Sequence, residues 1–197
     1  MNRPKQGATS ETFHINCVTD YSKLKSIINS FERTGNLWNN IDSWLKEYTG
    51  VDRIFFKFIK RYDNYHVYKR EKHIASILNR FSWFPTLLYN HDGKKLLIYK
   101  YCGVPLTKNN HPKDVIEQIN KILNDLDSVK IQHNDIKKEE LLVDKNGKIY
   151  LCDFGWGSIK NQLNCGIGIW GGHKKNKPAG ARCDKTVIKR LGIDKYI

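Results

Sequence analysis

The chain has 197 residues, 40% of them hydrophobic, and a formal net charge of +14, which excludes wholesale disorder and allows one substantial domain or two small lobes. No apolar run approaches the roughly 18 residues of a membrane-spanning helix, and the polar stretch 1–11 lacks the apolar centre of a secretory signal. Five scattered cysteines, Cys17, Cys102, Cys152, Cys165 and Cys183, form no Cys-x-x-Cys pair, which argues against a zinc site or disulfide scaffold and for a reducing, cytoplasmic setting.

In chain order, residues 1–12 read as a flexible N-terminal tail. Phe13, Ile15 and Cys17 alternate with polar residues, the period of a half-buried strand. Asp20 can cap a helix whose apolar positions Leu24, Ile27, Ile28 and Phe31 share a face and which stops near Gly35. Leu37, Trp38, Ile41, Trp44, Leu45 and Tyr48 repeat the helical spacing up to Gly50 and are read as core. The run from Ile54 to Ile59, IFFKFI, is strand-like in its aromatic and β-branched content. Tyr68 to Leu78 is read as a helix.

Beyond Pro85, Leu87 to Leu88 and Leu96 to Tyr99 are expected to pair around His91-Asp92-Gly93. Asp114 to Leu126 is amphipathic, with Val115, Ile119, Ile122, Leu123 and Leu126 in its apolar stripe. Leu141 to Val143 and Ile149 to Cys152 flank Asn146-Gly147, a strong hairpin signal. The order of elements predicts an α+β fold in two lobes.

The charge is unevenly spread. The last 42 residues carry nine Lys or Arg against Asp184 and Asp194, half of the net charge. Such a field favours an anionic partner, whether a phosphorylated substrate, a nucleic acid or a membrane surface. A solvated basic face accounts for it equally well.

Most of the chemistry sits in residues 131–155, IQHNDIKKEELLVDKNGKIYLCDFG. Asp135 lies in a polar turn after an amphipathic helix, and a hairpin then brings the chain back to Asp153, which follows an apolar strand and precedes a glycine. A hairpin can set both acids on one side. Phosphoryl transfer uses such a pair, one acid to orient the acceptor hydroxyl and one to hold Mg²⁺ on the phosphates.

This segment resembles the catalytic loop, hairpin and metal motif of the protein kinase superfamily, H-R-D-L-K-x-x-N followed by D-F-G. His133-Asn134-Asp135-Ile136-Lys137 stands where H-R-D-L-K would, and Asp153-Phe154-Gly155 matches D-F-G, with 18 residues from Asp135 to Asp153. Residues 97–103, LIYKYCG, are similar to a kinase hinge. The resemblance implies a compact bilobal protein-kinase-like fold with a truncated C-terminal lobe: an N-lobe with extra helices over 13–99 and a minimal C-lobe over 100–197. It implies ATP and Mg²⁺ as cofactors, Asp135 as catalytic base or acceptor-orienting acid, and Lys137 as the cation that neutralises charge on the transferring phosphoryl group. Asp153 and Glu140 would be metal ligands. Lys57, with Lys60 as the alternative, would contact the phosphates and pair with Glu71, while Tyr101 and Cys102 would lie along the nucleotide. His133 is read as structural.

Three departures stand out. Glu140 occupies the place of the family's metal-binding Asn, no G-x-G-x-x-G loop precedes Lys57, and no A-P-E follows Gly155. The short tail resembles small atypical relatives, the lipopolysaccharide core-sugar kinases and the kinase of the tRNA threonylcarbamoyl-adenosine complex. Asp184 could brace the catalytic loop or cap a helix. The glycine-rich run from Cys165 to Gly172, with Trp170, could contact an acceptor or pack as core. The reading is a Mg·ATP-dependent kinase acting on a hydroxyl of a glycan, small molecule or Ser/Thr of protein. The alternatives are a pseudokinase that only binds, and an RNA-associated kinase or ATPase; nucleic acid is not the favoured partner.

Overall fold

A computed structural model describes residues 5–6, 10–16, 26, 53–59, 65–100, 102–159, 184 and 187–193. Apart from Ser26, which is helical, the two helical patterns between Asp20 and Gly50 lie outside these residues. Lys60, Tyr101 and the run from Cys165 to Gly172 lie outside them too. The fold mixes helices with antiparallel sheets, as an α+β chain should. It divides into two units, Met1–Arg61 with Leu87–Tyr101, and Tyr62–Thr86 with Cys102–Ile197. The lobes expected from sequence broke the chain once, near residue 100; here residues 62–86 belong with the second unit.

The described strands of the first unit form a five-stranded antiparallel sheet. Its strands are β1 (Lys5–Gln6), β2 (Ser10–Asn16), β3 (Arg53–Ile59), β4 (Leu87–His91) and β5 (Leu96–Lys100), in the order β1-β2-β3-β5-β4. In β3, Ile54, Phe56, Lys57 and Ile59 are buried, and in β5 every residue from Leu96 to Tyr99 is buried. That explains why both strands read as nearly continuous apolar runs rather than alternating ones. The register sets Phe56 opposite Ile98 and Lys57 opposite Leu97. The strand pair around His91-Asp92-Gly93 forms as expected, with a bulge between Leu87 and Tyr89.

The expected tail needs correction. Lys5–Gln6 pairs with Glu11 and Thr12, and β2 itself starts at Ser10. Edge pairing uses backbone N–H and C=O groups and requires no apolar side chain, so a polar composition conceals it.

The second unit holds α1 (Tyr65–Leu78), α2 (Val115–Ser128) and the short α3 (Val187–Leu191), with two small sheets. One sheet is β6 (Val104–Pro105), β8 (Leu141–Val143) and β9 (Ile149–Leu151); the other pairs β7 (Ile131–Gln132) with β10 (Ser158–Ile159). The α2 stripe is buried at Val115, Ile119, Ile122 and Leu126, each side chain contributing about 1.5–3 kcal/mol on burial. α1 begins three residues earlier than the periodicity indicates. Its buried positions are Val67, Tyr68, Arg70, Glu71, Ile74, Ala75 and Leu78.

The hairpin at Asn146-Gly147 forms with a different turn from the two-residue one its sequence favours. Asp144 N–H donates to the Lys148 carbonyl at 3.0 Å, and Gly147 N–H donates back to the Asp144 carbonyl at 3.1 Å. Gly147 has φ 79°, while Asn146 is not among the residues with positive φ. This is a type I turn closed by a left-handed glycine. Asp144 Oδ1 selects it by accepting the N–H groups of Asn146 and Lys148 at 2.8 and 2.9 Å.

Candidate active site

The loop between β7 and β8 is built around a buried imidazole. His133 is fully buried. Its Nε2 lies 2.8 Å from the Cys152 carbonyl, and Asp135 N–H points at its Nδ1 from 3.3 Å. A carbonyl only accepts, so Nε2 carries the proton and Nδ1 accepts from Asp135. Desolvation holds the His133 pKa below 6.5, against the opposing pull of its Cys152 bond and of the Asp184, Asp153 and Asp135 charges. The neutral ring joins the backbone of Asp135 to the residue before Asp153, and its edge meets the Phe154 ring at 4.6 Å between centroids.

Two further groups fix this loop. The Asp184 carboxylate accepts the N–H of His133 at 2.7 Å and that of Asn134 at 3.0 Å. Asn134 Nδ2 donates to the Trp156 carbonyl at 3.0 Å and to Ser158 Oγ at 2.9 Å. Among the described residues four non-glycine positions have positive φ, and two of them, Asn134 at 68° and Asp153 at 62°, fall here. A left-handed conformation costs a side-chain-bearing residue about 1–2 kcal/mol. It persists where surrounding bonds determine it, which is common at functional sites.

Lys137 lies between two acids, with Nζ 3.2 Å from Asp135 Oδ2 and 3.0 Å from Glu140 Oε1. Burial lowers its pKa, but the bonds and charges of Glu140, then of Asp135, outweigh it and hold the ammonium above the ordinary lysine range. Glu140 is buried and ends the 3₁₀ turn Lys138–Glu140. The Cys152 thiol donates weakly to Glu140 Oε2 across 3.7 Å, and Cys152 N–H donates to the Glu140 carbonyl at 2.9 Å. Asp153 opens the 3₁₀ turn Phe154–Trp156, its Oδ1 accepting Gly155 N–H at 3.2 Å.

Asp135, Lys137 and Glu140 are therefore drawn together, and Cys152 ties them to Asp153. Mg²⁺ takes hard oxygen donors and is held by one or two carboxylates with waters and phosphate oxygens. Asp153 and Glu140 supply carboxylates of that kind. Among the described residues no group of three or more His, Cys, Asp or Glu forms a metal cage.

The other residues singled out from sequence are placed as follows. Glu71 is buried on α1, its Oε2 3.8 Å from where a Cβ on Gly155 would stand. Lys57 is buried in β3 of the first unit, and Cys102 is buried at the start of the segment leading to β6. Sequence reading missed Arg70, whose buried guanidinium donates from Nη1 to the Gly155 carbonyl at 2.8 Å. Its signal was present: a charge inside the apolar stripe of a helix, beside Glu71. It also missed Trp83, whose Nε1 donates to Asp125 Oδ2 at 2.8 Å and whose carbonyl accepts Leu151 N–H.

No protein-family model matches the chain. Part of it is similar to the serine/threonine-protein kinase 1 of Heliothis zea nuclear polyhedrosis virus, 42% identical over 53 residues. Those residues are 27% of this chain and 20% of that kinase, so the similarity spans about a fifth of the relative. It indicates a relationship to a kinase over a short stretch. Among the described residues no helix is long and apolar enough to cross a membrane.

Proposed function

We propose that this chain is a small protein-kinase-like phosphotransferase that moves the γ-phosphoryl group of Mg·ATP to a hydroxyl. The observation that supports it is the bond pair at His133, which sets Asp135 and the Asp153 turn on one imidazole. In this reading Asp135 orients the acceptor hydroxyl and receives its proton. Lys137 faces the charge developing on the transferred group, and Asp153 with Glu140 holds Mg²⁺. Lys57 and Glu71 serve the nucleotide, along with Tyr101 and Cys102. The acceptor is a Ser or Thr hydroxyl, a glycan or a small molecule; the name of the viral relative favours the first.

The test is a thermal-shift titration with Mg²⁺ and ATP on wild type and Asp153→Ala. Stabilisation that needs both ligands and disappears in the variant supports the reading. Transfer to an acceptor should then fall by at least about a hundredfold in Asp135→Ala.

One observation favours a second reading, a binding module without chemistry. Lys137 is engaged by Glu140 and Asp135 at once, and a carboxylate stands where the family has a neutral amide. Nucleotide-dependent stabilisation without transfer to any acceptor would select it.

A further inference from the structure

α1 reaches the Asp153 turn through one buried cation. Arg70 is 1% exposed and its Nη1 donates to the Gly155 carbonyl at 2.8 Å, joining positions 85 residues apart. Guanidinium is charged at any accessible pH, and burying it is costly unless its environment compensates. A helix whose only task was packing would carry an apolar residue there, as it does one turn later at Ile74. The same turn is approached closely along its length. A Cβ on Gly157 would come within 2.6 Å of Ile74 Cδ1, and one on Gly155 would meet Asp153 Oδ1 at 3.1 Å and Val67 Cγ1 at 3.6 Å.

The bond falls where it controls orientation. Gly155 offers its N–H to Asp153 Oδ1 and its carbonyl to Arg70. The peptide units flanking Gly155 are thus held at both ends, one by the aspartate and one by α1. Rotation about Gly155 would break both bonds and release the Asp153 side chain from its left-handed turn. Asn134 secures the far side, on the Trp156 carbonyl and Ser158 Oγ.

We propose that Arg70 is a positioning residue, through which α1 sets the direction of the Asp153 carboxylate. The proposal rests on the phosphotransferase reading for what that carboxylate holds, but the latch itself is a property of the turn.

The experiment compares wild type, Arg70→Met and Arg70→Lys in two measurements. The first is amide hydrogen exchange, with peptides covering 153–159 read against the β8–β9 hairpin. The second is the Mg²⁺ concentration that half-saturates ATP-dependent thermal stabilisation. Arg70→Met should speed exchange at Gly155 and Gly157 while leaving the hairpin unchanged, and should raise the half-saturating Mg²⁺ by about tenfold, as loss of an outer-shell partner does. Arg70→Lys, which keeps a donor, should recover most of both. Unchanged exchange in the turn, or an unchanged Mg²⁺ requirement in Arg70→Met, overturns the proposal. If Arg70→Met fails to fold, Arg70→Lys and Arg70→Gln decide by the same two readouts. A wild type that ignores Mg·ATP while Arg70→Met still loosens the turn refutes the phosphotransferase reading and leaves the latch standing.

Discussion

His133 and Asp135 are bonded backwards along the chain: the amide of Asp135 donates to the imidazole two residues before it, while the far side of that ring faces the Cys152 carbonyl. Protonating Nδ1 would set one donor against another. The pH consequence has a definite sign. The folded pKa of His133 is depressed below 6.5 by burial, so as pH falls below about 6.5 the unfolded chain binds a proton that the folded chain refuses. The stabilisation is present above that pH and drains away below it, by at most about 1.4 kcal/mol per pH unit. Melting temperatures from about pH 7.5 to pH 5 should fall less steeply in His133→Gln than in wild type. Equal slopes would show that the ring does not resist protonation.

Asp184 receives two backbone N–H groups with one carboxylate. In Asp184→Asn only one oxygen remains to accept, and the amide turns a donor toward the second N–H. An unsatisfied buried donor costs about 1–3 kcal/mol. Urea denaturation of Asp184→Asn should show a loss in that range, and Asp184→Ala a larger one. A variant as stable as wild type would mean that water replaces the carboxylate.

Glu140 holds Lys137 at 3.0 Å and would also serve the metal. Glu140→Gln keeps the size and removes the charge. The Mg²⁺ needed to half-saturate ATP-dependent stabilisation should rise by about tenfold or more. The Lys137 pKa should also move down toward the ordinary lysine range, which pH-dependent acylation of that amine can follow. An unchanged Mg²⁺ requirement removes Glu140 from the ligand set.

Trp83 stacks on Phe81 with centroids 5.5 Å apart and meets Phe84 edge-on at 6.2 Å. Trp83→Ala should cost about 3–5 kcal/mol by emptying a buried aromatic site. Trp83→Phe should cost only about 1 kcal/mol, the worth of one hydrogen bond, because Asp125 keeps Lys121 at 3.1 Å. Similar losses in both variants would show that the indole N–H, not the packing, matters.

The sequence shows some of this clearly and some of it not at all. Elements with a long period were readable: β3, β5, α2 and the β8–β9 hairpin fall where the apolar pattern puts them, and so does α1 apart from its start three residues earlier. Two-residue strands such as β7 and β10 carry no period, and only tertiary closure creates them. The Asn146-Gly147 signal located a turn without fixing its type, because the Asp144 carboxylate, two residues upstream, decided that. Within the candidate site, the spacing of Asp135 and Asp153 was visible. The roles of the Asn134 amide and Arg70 were not, since both bond backbone carbonyls far along the chain. Long-range side-chain-to-backbone contacts leave no local pattern.

The β7–β10 pairing sets Ile131 against Ile159 and Gln132 against Ser158. Residues 131–159 thus leave and return to one place, with the β8–β9 hairpin folded inside the excursion. Contacts close in sequence require less loop-closure entropy than distant ones. This segment is expected to organise during folding before Asp184, 50 residues beyond Asn134, or Arg70, 85 residues before Gly155, can engage it. Pulse-labelled exchange, with β8–β9 amides protected ahead of those in α1, would reveal that order. Both carboxylates would then be carried on a piece of chain that matures early, and the helix that steadies it would arrive last.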